Sequence, residues 1–162
     1  MNSKKTSLLP YRPCVGITLI NHDNKIFAGQ RIDNSTNAWQ MPQGGIDNPE
    51  DPLTAAFREL EEETGVTKKS VTHLDTMDEW IPYNLPLELV PKLWNGKFQG
   101  QIQKWFLFKF EDKDSAINIQ TNHPEFAEWQ WMAPNELIES IVPFKLITYT
   151  KVLRYFKKHL EN

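Results

Sequence analysis

Between Gly44 and Val66 the chain runs Gly, five residues, Glu50, seven residues, then Arg58-Glu59-Leu60-Glu61-Glu62-Glu63-Thr64-Gly65-Val66. That spacing can be tested against helix geometry. Pro52 suits a first helical position with Asp51 as its N-cap, and Gly65 suits the residue just past the end. The span predicts a helix of about three turns. Inside it, Leu53, Ala56, Phe57 and Leu60 recur at i, i+3, i+4 and i+7, one apolar stripe facing a core. Glu59, Glu62 and Glu63 fall at i, i+3 and i+4 beside that stripe. Three carboxylates on one strip repel each other, and they stand in the last turns, where the helix dipole disfavours negative charge. Two readings compete. A solvated acidic face is the usual fate of a Glu-rich helix. A hard divalent cation with oxygen ligands would remove both penalties, and Mg²⁺ takes a few carboxylates, several waters and phosphate oxygens.

The flanking residues decide between them. Every fixed position from Gly44 to Val66 matches Gly-x5-Glu-x7-Arg-Glu-U-x-Glu-Glu-x-Gly-U, with U aliphatic, so the segment resembles the signature of the Nudix family of hydrolases. The resemblance implies a Nudix fold, an α/β/α sandwich with a mixed β-sheet. It also implies an enzyme that uses Mg²⁺ or Mn²⁺, with more than one ion, to hydrolyse a diphosphate linkage joined to a nucleoside. On the matching positions Glu59, Glu62 and Glu63 are metal ligands, one of them able to serve as base. Arg58 belongs to the same catalytic set and acts with Glu50 as scaffold, through a forked, charge-assisted pair. Gly44 and Gly45 let a loop backbone approach the metal, with a Gly44 carbonyl on offer, and Gly65 closes the helix.

Segments outside this box narrow the resemblance. Tyr11-Arg12-Pro13, Trp39-Gln40 with Pro42-Gln43, Gln101 with Gln103-Lys104-Trp105-Phe106, Pro124-Glu125-Phe126 with Trp129 and Trp131, and Phe144-Lys145 resemble the bacterial RNA pyrophosphohydrolases. That group overlaps with hydrolases of diadenosine tetraphosphate. The implied substrate is 5′-triphosphate RNA, converted to 5′-monophosphate RNA with release of pyrophosphate, which promotes mRNA decay. A dinucleoside polyphosphate is the alternative substrate, and a silent nucleotide-binding regulator is a third reading, opposed by the intact glutamates. Glu125 is implied as a further metal ligand. Arg31, Gln43 and Lys104 are implied to hold phosphates, Tyr83 and Phe144 to stack a base or else pack in the core, and Lys145 to contact a nucleobase or phosphate. Leu146 stands where a second basic residue is expected after Lys145, and the loop from Asp33 to Ala38 is longer than usual for the group. For Trp39, Trp105, Trp129 and Trp131 core packing is the preferred reading. His22, His73, His123 and His159 lack paired metal-ligand spacing.

A chain of 162 residues suits one domain, read as 11–160 after a short N-terminal tail, 1–10. The net charge of −3 argues against coating duplex nucleic acid non-specifically, while leaving room for a local basic pocket. Cys14 is the only cysteine, so no intrachain disulfide forms, and a free buried thiol is expected. No apolar run reaches membrane-spanning length, and the N-terminus has no secretory core, so a cytoplasmic protein is expected, with a monomer favoured.

The periodicities predict strands at Cys14 to Ile20 and Lys25 to Arg31 joined as a hairpin, then a polar loop from Asp33 to Thr36. A return from Val71 to Trp80 precedes a long excursion from Ile81 to Gly100. Gln103 to Phe110 reads as a strand buried on both faces, and Ala127 to Met132 as a short one. A short helix is expected at Glu136 to Val142. Pro143 separates it from a final one carrying Leu146, Tyr149, Leu153, Phe156 and Leu160.

Overall fold

A computed structural model describes residues 9–33 and 37–161. Positions 1–8 of the expected tail and 34–36 of the expected polar loop lie outside the described residues. β1 (Tyr11–Ile20) and β2 (Ile26–Arg31) form the expected hairpin, antiparallel with Ile20 opposite Ile26. β3 (Gln43–Gly45) follows, then α1 (Pro52–Thr64), β4 (Val71–Thr76), β5 (Ile81–Asn84), β6 (Gly100–Phe110) and β7 (Phe126–Met132). The chain ends with α2 (Pro134–Ser140), α3 (Leu146–Tyr155) and α4 (Lys157–Leu160).

The strands make one sheet in the order β4-β6-β1-β2-β7, with β3 paired to β1 and β5 paired to β6. β1 and β6 run parallel and the remaining pairs antiparallel, so the sheet is mixed. Strand alternation distributes the apolar side chains to two cores. Val15, Ile17, Leu19, Phe106 and Phe108 turn to one face and pack with Ala56 and Leu60 of α1. Ile20, Trp105 and Leu107 turn to the other and pack with Leu137 of α2 and Tyr149, Val152 and Phe156 around α3. Helices thus cover both faces, an α/β/α sandwich, and β6 is buried on both sides over most of its length.

Four expectations are corrected. Gly44-Gly45 is not loop: with Gln43 it forms β3, paired to Gly16, Val15 and Cys14, so its backbone is fixed by a ladder. The segment from Ile81 to Gly100 is an excursion only after Asn84, because Ile81 to Asn84 pair with Gln103 to Gly100. Pro82 is tolerated there because β5 lies at the edge of the sheet. The expected strand to Trp80 stops at Thr76, after a register shift between His73 and Asp75. The last helix divides at Phe156, whose φ of −88° and ψ of 6° interrupt the α-helical run. In addition, α2 starts two residues before Glu136 and ends at Ser140.

α1 has the predicted bounds. Asp51 accepts from the Thr54 N–H at 2.8 Å, and Gly65, at φ 74°, donates to the Glu61 carbonyl at 2.9 Å. A side chain at position 65 would adopt a left-handed conformation and stand 2.8 Å from the Asn118 carbonyl oxygen. Gly65→Ala is therefore expected to destabilise the protein by about 1–2 kcal/mol through the left-handed backbone alone. A lowered urea midpoint at unchanged slope checks it; an unchanged midpoint contradicts it.

Candidate active site

Arg58 is the organising cation. Its Nε and Nη2 clasp Glu50 at 3.0 and 2.6 Å, a bidentate fork. Nη2 also donates to the Gly45 carbonyl at 2.8 Å, and Nη1 reaches Glu59 at 2.9 Å and Glu62 at 3.2 Å. One side chain thus ties α1 to β3 and to the segment before α1. The Gly45 carbonyl is consequently committed to Arg58. Gly44 has no room for a side chain, because a Cβ there would run into the Glu59 carboxylate.

The glutamates of α1 differ in environment. Glu62 is exposed, Glu59 is mostly covered, and Glu63 is buried at 5% exposure, accepting from the Gln43 N–H at 3.3 Å. Burial pushes the Glu59 carboxyl from 4.5 to about 7, against the opposing pull of Arg58. Burial, reinforced by Glu59 and Glu125, pushes Glu63 well above the usual carboxylate range. Glu59, Glu61, Glu62, Glu63, Arg58 and Glu125 line a common cleft of about 470 Å³. Thr121, Asn122 and His123 complete it; the sequence singled out neither Thr121 nor Asn122, and His123 was set aside there for want of paired metal-ligand spacing. Only their place just before Pro124-Glu125 could have flagged them.

The donor set suits a hard divalent cation: carboxylates converge on one cleft, one of them buried, beside a buried Thr121 hydroxyl that has no hydrogen-bond partner among the described residues. As placed, Arg58 stands between Glu59 and Glu62, and among the described residues no three His, Cys, Asp or Glu side chains form a ready-made ligand group.

The implied substrate residues divide. Arg31 lies beside this cleft, 3.4 Å from Glu125 and forked to Asp33 at 2.9 and 3.0 Å. Gln43, Tyr83, Phe144 and Lys145 gather in a second cluster of side chains, with Tyr83 and Lys145 buried and Phe144 half-buried. There Gln43 accepts from Gln103 at 3.1 Å, and the Tyr83 and Phe144 rings lie 5.9 Å apart. Lys145 is buried, donates to Gln40 at 3.3 Å, and is brought down to about 8 by burial and the charge of Arg31. Lys104 joins neither group; its ammonium donates to the Asp78 carbonyl at 3.0 Å over the Trp80 ring. Trp105 is fully buried, and Trp39, Trp129 and Trp131 pack against the two cores. Cys14 is free and buried.

Comparison with known proteins gives this architecture its class. Residues 10–154 match the NUDIX domain. The RNA pyrophosphohydrolase of Roseobacter denitrificans is 52% identical over 160 residues, covering 99% of this chain and all of that protein. The RNA pyrophosphohydrolase of Rickettsia canadensis is 49% identical over 154 residues, covering 95% of this chain and 94% of that protein. Among solved structures, an Ap4A hydrolase of C. elegans superposes with a TM-score of 0.64 at 22% identity, over 91% of this chain and 97% of its own. E. coli dihydroneopterin triphosphate pyrophosphohydrolase does so at 0.67 and 16%, over 88% and 96%. Those two likenesses concern the fold. A mixed-sheet sandwich that holds an acidic helix against a glycine strand is here the frame of a hydrolase of phosphoanhydride bonds. The chain belongs to the Nudix family, whose members generally use divalent metals such as Mg²⁺ or Mn²⁺.

The raised carboxyls set a pH dependence with a definite sign. A folded pKa above the unfolded 4.5 means stability that is full below about 4.5 and lost as pH rises, through about 7 for Glu59, with Glu63 acting in the same direction. The metal-free protein should melt at a lower temperature at about pH 8 than at about pH 5, and Glu63→Gln should flatten that slope and raise the midpoint at the higher pH. Parallel slopes for the two proteins would contradict the assignment.

Proposed function

We propose that the chain is an RNA pyrophosphohydrolase: water attacks a phosphorus of 5′-triphosphate RNA, the α–β anhydride breaks, and 5′-monophosphate RNA and pyrophosphate result. The observation that carries this reading is the single cleft on which Glu59, Glu62, Glu63 and Glu125 converge beneath the Arg58 clamp. Relatives of that name at about half identity, aligned end to end, support the RNA substrate.

Glu59, Glu62, Glu63 and Glu125 are the residues that would hold Mg²⁺ or Mn²⁺, more than one ion, with the backbone of Gly44 alongside. When bound, such ions set positive charge against the phosphate oxygens and acidify the attacking water. Arg58 holds Glu59 and Glu62 in place, and its fork to Glu50 keeps α1 registered on β3. Arg31, shared between Asp33 and Glu125, is a cation that a phosphate oxygen can recruit from its carboxylates. A glutamate of the cleft accepts the water proton; a carboxyl held near neutral is suited to that role. Phe144 and Tyr83, in ring contact, are the aromatic side chains that would meet the first bases, with Lys145 as the buried cation beside them. Residues 11–160 are the catalytic unit, acting as a cytoplasmic monomer. No described helix is long and apolar enough to cross a membrane.

With Mg²⁺, kcat/KM should favour a short 5′-triphosphate RNA over diadenosine tetraphosphate, with pyrophosphate as product. The reverse preference makes the protein a dinucleoside polyphosphate hydrolase, and turnover of neither makes it a silent binder. Glu62→Gln and Glu63→Gln should each lose activity by about two orders of magnitude or more while folding normally. A Gly44→Ala chain, which displaces the Glu59 carboxylate, should lose about a hundredfold in kcat/KM. Full activity in all three would remove the cleft from the chemistry.

A further inference from the structure

The excursion after β5 contains a run of left-handed backbone. Trp94, Asn95 and Gly96 have φ values of 48°, 57° and 70°, three consecutive residues in the left-handed region. Glycine adopts it freely and asparagine tolerates it, but a bulky indole-bearing residue does so only where its surroundings impose it. Backbone strain of this kind points from an observed outlier towards a site.

The Trp94 ring lies 5.3 Å from the guanidinium carbon of Arg12, at cation–π distance. Among the described residues, the guanidinium's only hydrogen-bond partner is the thiol of Cys14, 3.6 Å from Nη1, and no carboxylate lies within 4.0 Å of it. A half-buried arginine with five donors and a single weak acceptor has its fork free for an anion. On the opposite side stands Gly45, where a Cβ would run into the guanidinium. Arg12 is therefore confined between a glycine that leaves it room and an indole that covers it. Gly45 adjoins Gly44, which abuts the Glu59 carboxylate, so Arg12 stands beside the acidic cleft, and its charge acts on both Glu59 and Tyr83. Trp94 itself packs on the cluster formed by Tyr83, Leu85 and Val90, alongside Phe144.

We propose that the Trp94-Asn95-Gly96 turn is a positioning device for substrate recognition, in which Trp94 holds the Arg12 fork towards a phosphate of the bound nucleotide chain. Trp94 is a positioning residue acting through Arg12. The identity of the ligand as an RNA 5′ end rests on the function proposed above. A plain packing role for Trp94 would leave ligand affinity unchanged once folding is secured, so the two are separable.

The test is calorimetric titration with a 5′-monophosphorylated RNA dinucleotide in Mg²⁺, a product that is not turned over, on the full chain and on W94A, R12A and the double variant. Trp94→Phe keeps an aromatic face and Trp94→Leu keeps only apolar bulk, so W94L replaces W94A if the alanine chain unfolds. W94A, or W94L in its place, and R12A should each weaken binding about tenfold, the scale of one charge-assisted contact, the double variant no further than R12A, and W94F by much less. In turnover the Trp94 variants should raise KM while moving kcat less. Wild-type affinity in both W94A and W94L, or effects that multiply in the double variant, would overturn the proposal. If the wild type neither binds nor cleaves RNA but cleaves diadenosine tetraphosphate, the RNA reading fails by itself. The same variants are then compared by KM for that dinucleotide: non-additivity supports the Trp94–Arg12 device, and additivity overturns it.

Discussion

Arg58 is the contact on which the rest of the site depends. Its guanidinium ties three separate stretches, the glycine strand through Gly45, the pre-helix segment through Glu50, and the helix through Glu59 and Glu62. A lysine could not do this, since one ammonium cannot hold a planar bidentate fork and face two further oxygens. Mutual repulsion on the acidic strip is offset locally by that one charge. Where Arg58 does not reach, at Glu63, burial has moved the carboxyl towards its neutral form.

The helix was legible because its information is local, and the Arg58–Glu50 clamp through the family likeness. Capping at Asp51, termination at Gly65 and the apolar stripe of α1 depend on residues within a few turns of one another. Gly44-Gly45 read as loop because a three-residue strand with two glycines carries no β signal of its own; pairing with Cys14, Val15 and Gly16 imposes its conformation. Pro82 hid β5 for the same reason, since only the edge position lets it lie in a sheet. The break at Phe156 was invisible because its apolar residue keeps the helical spacing on both sides.

The same division runs through the site. Glu59, Glu62 and Glu63 could be placed on one strip from spacing alone, whereas Arg58 and Glu125 entered the site only through a family likeness, Glu125 because it comes from the far edge of the sheet. Thr121, Asn122 and His123 reach the cleft by the path of the loop before β7, which no periodicity encodes. Arg12 is hidden in an apolar strand, and its lack of a carboxylate partner among the described residues is a statement about three dimensions. Lys104 shows the converse: a residue singled out by likeness turns here towards Asp78 and Trp80.

A folded protein that buries Glu63 near Glu59 and Glu125 without a cation bears a local electrostatic cost, and a divalent ion offsets it. The most direct measurement is the thermal midpoint at about pH 8 as Mg²⁺ is added, for the full chain and for Glu63→Gln. A midpoint that climbs with Mg²⁺ in the native protein and stays flat in the variant is the predicted result. Equal climbs in the two, or none in the native protein, would contradict the assignment of the carboxylate cleft as the metal centre.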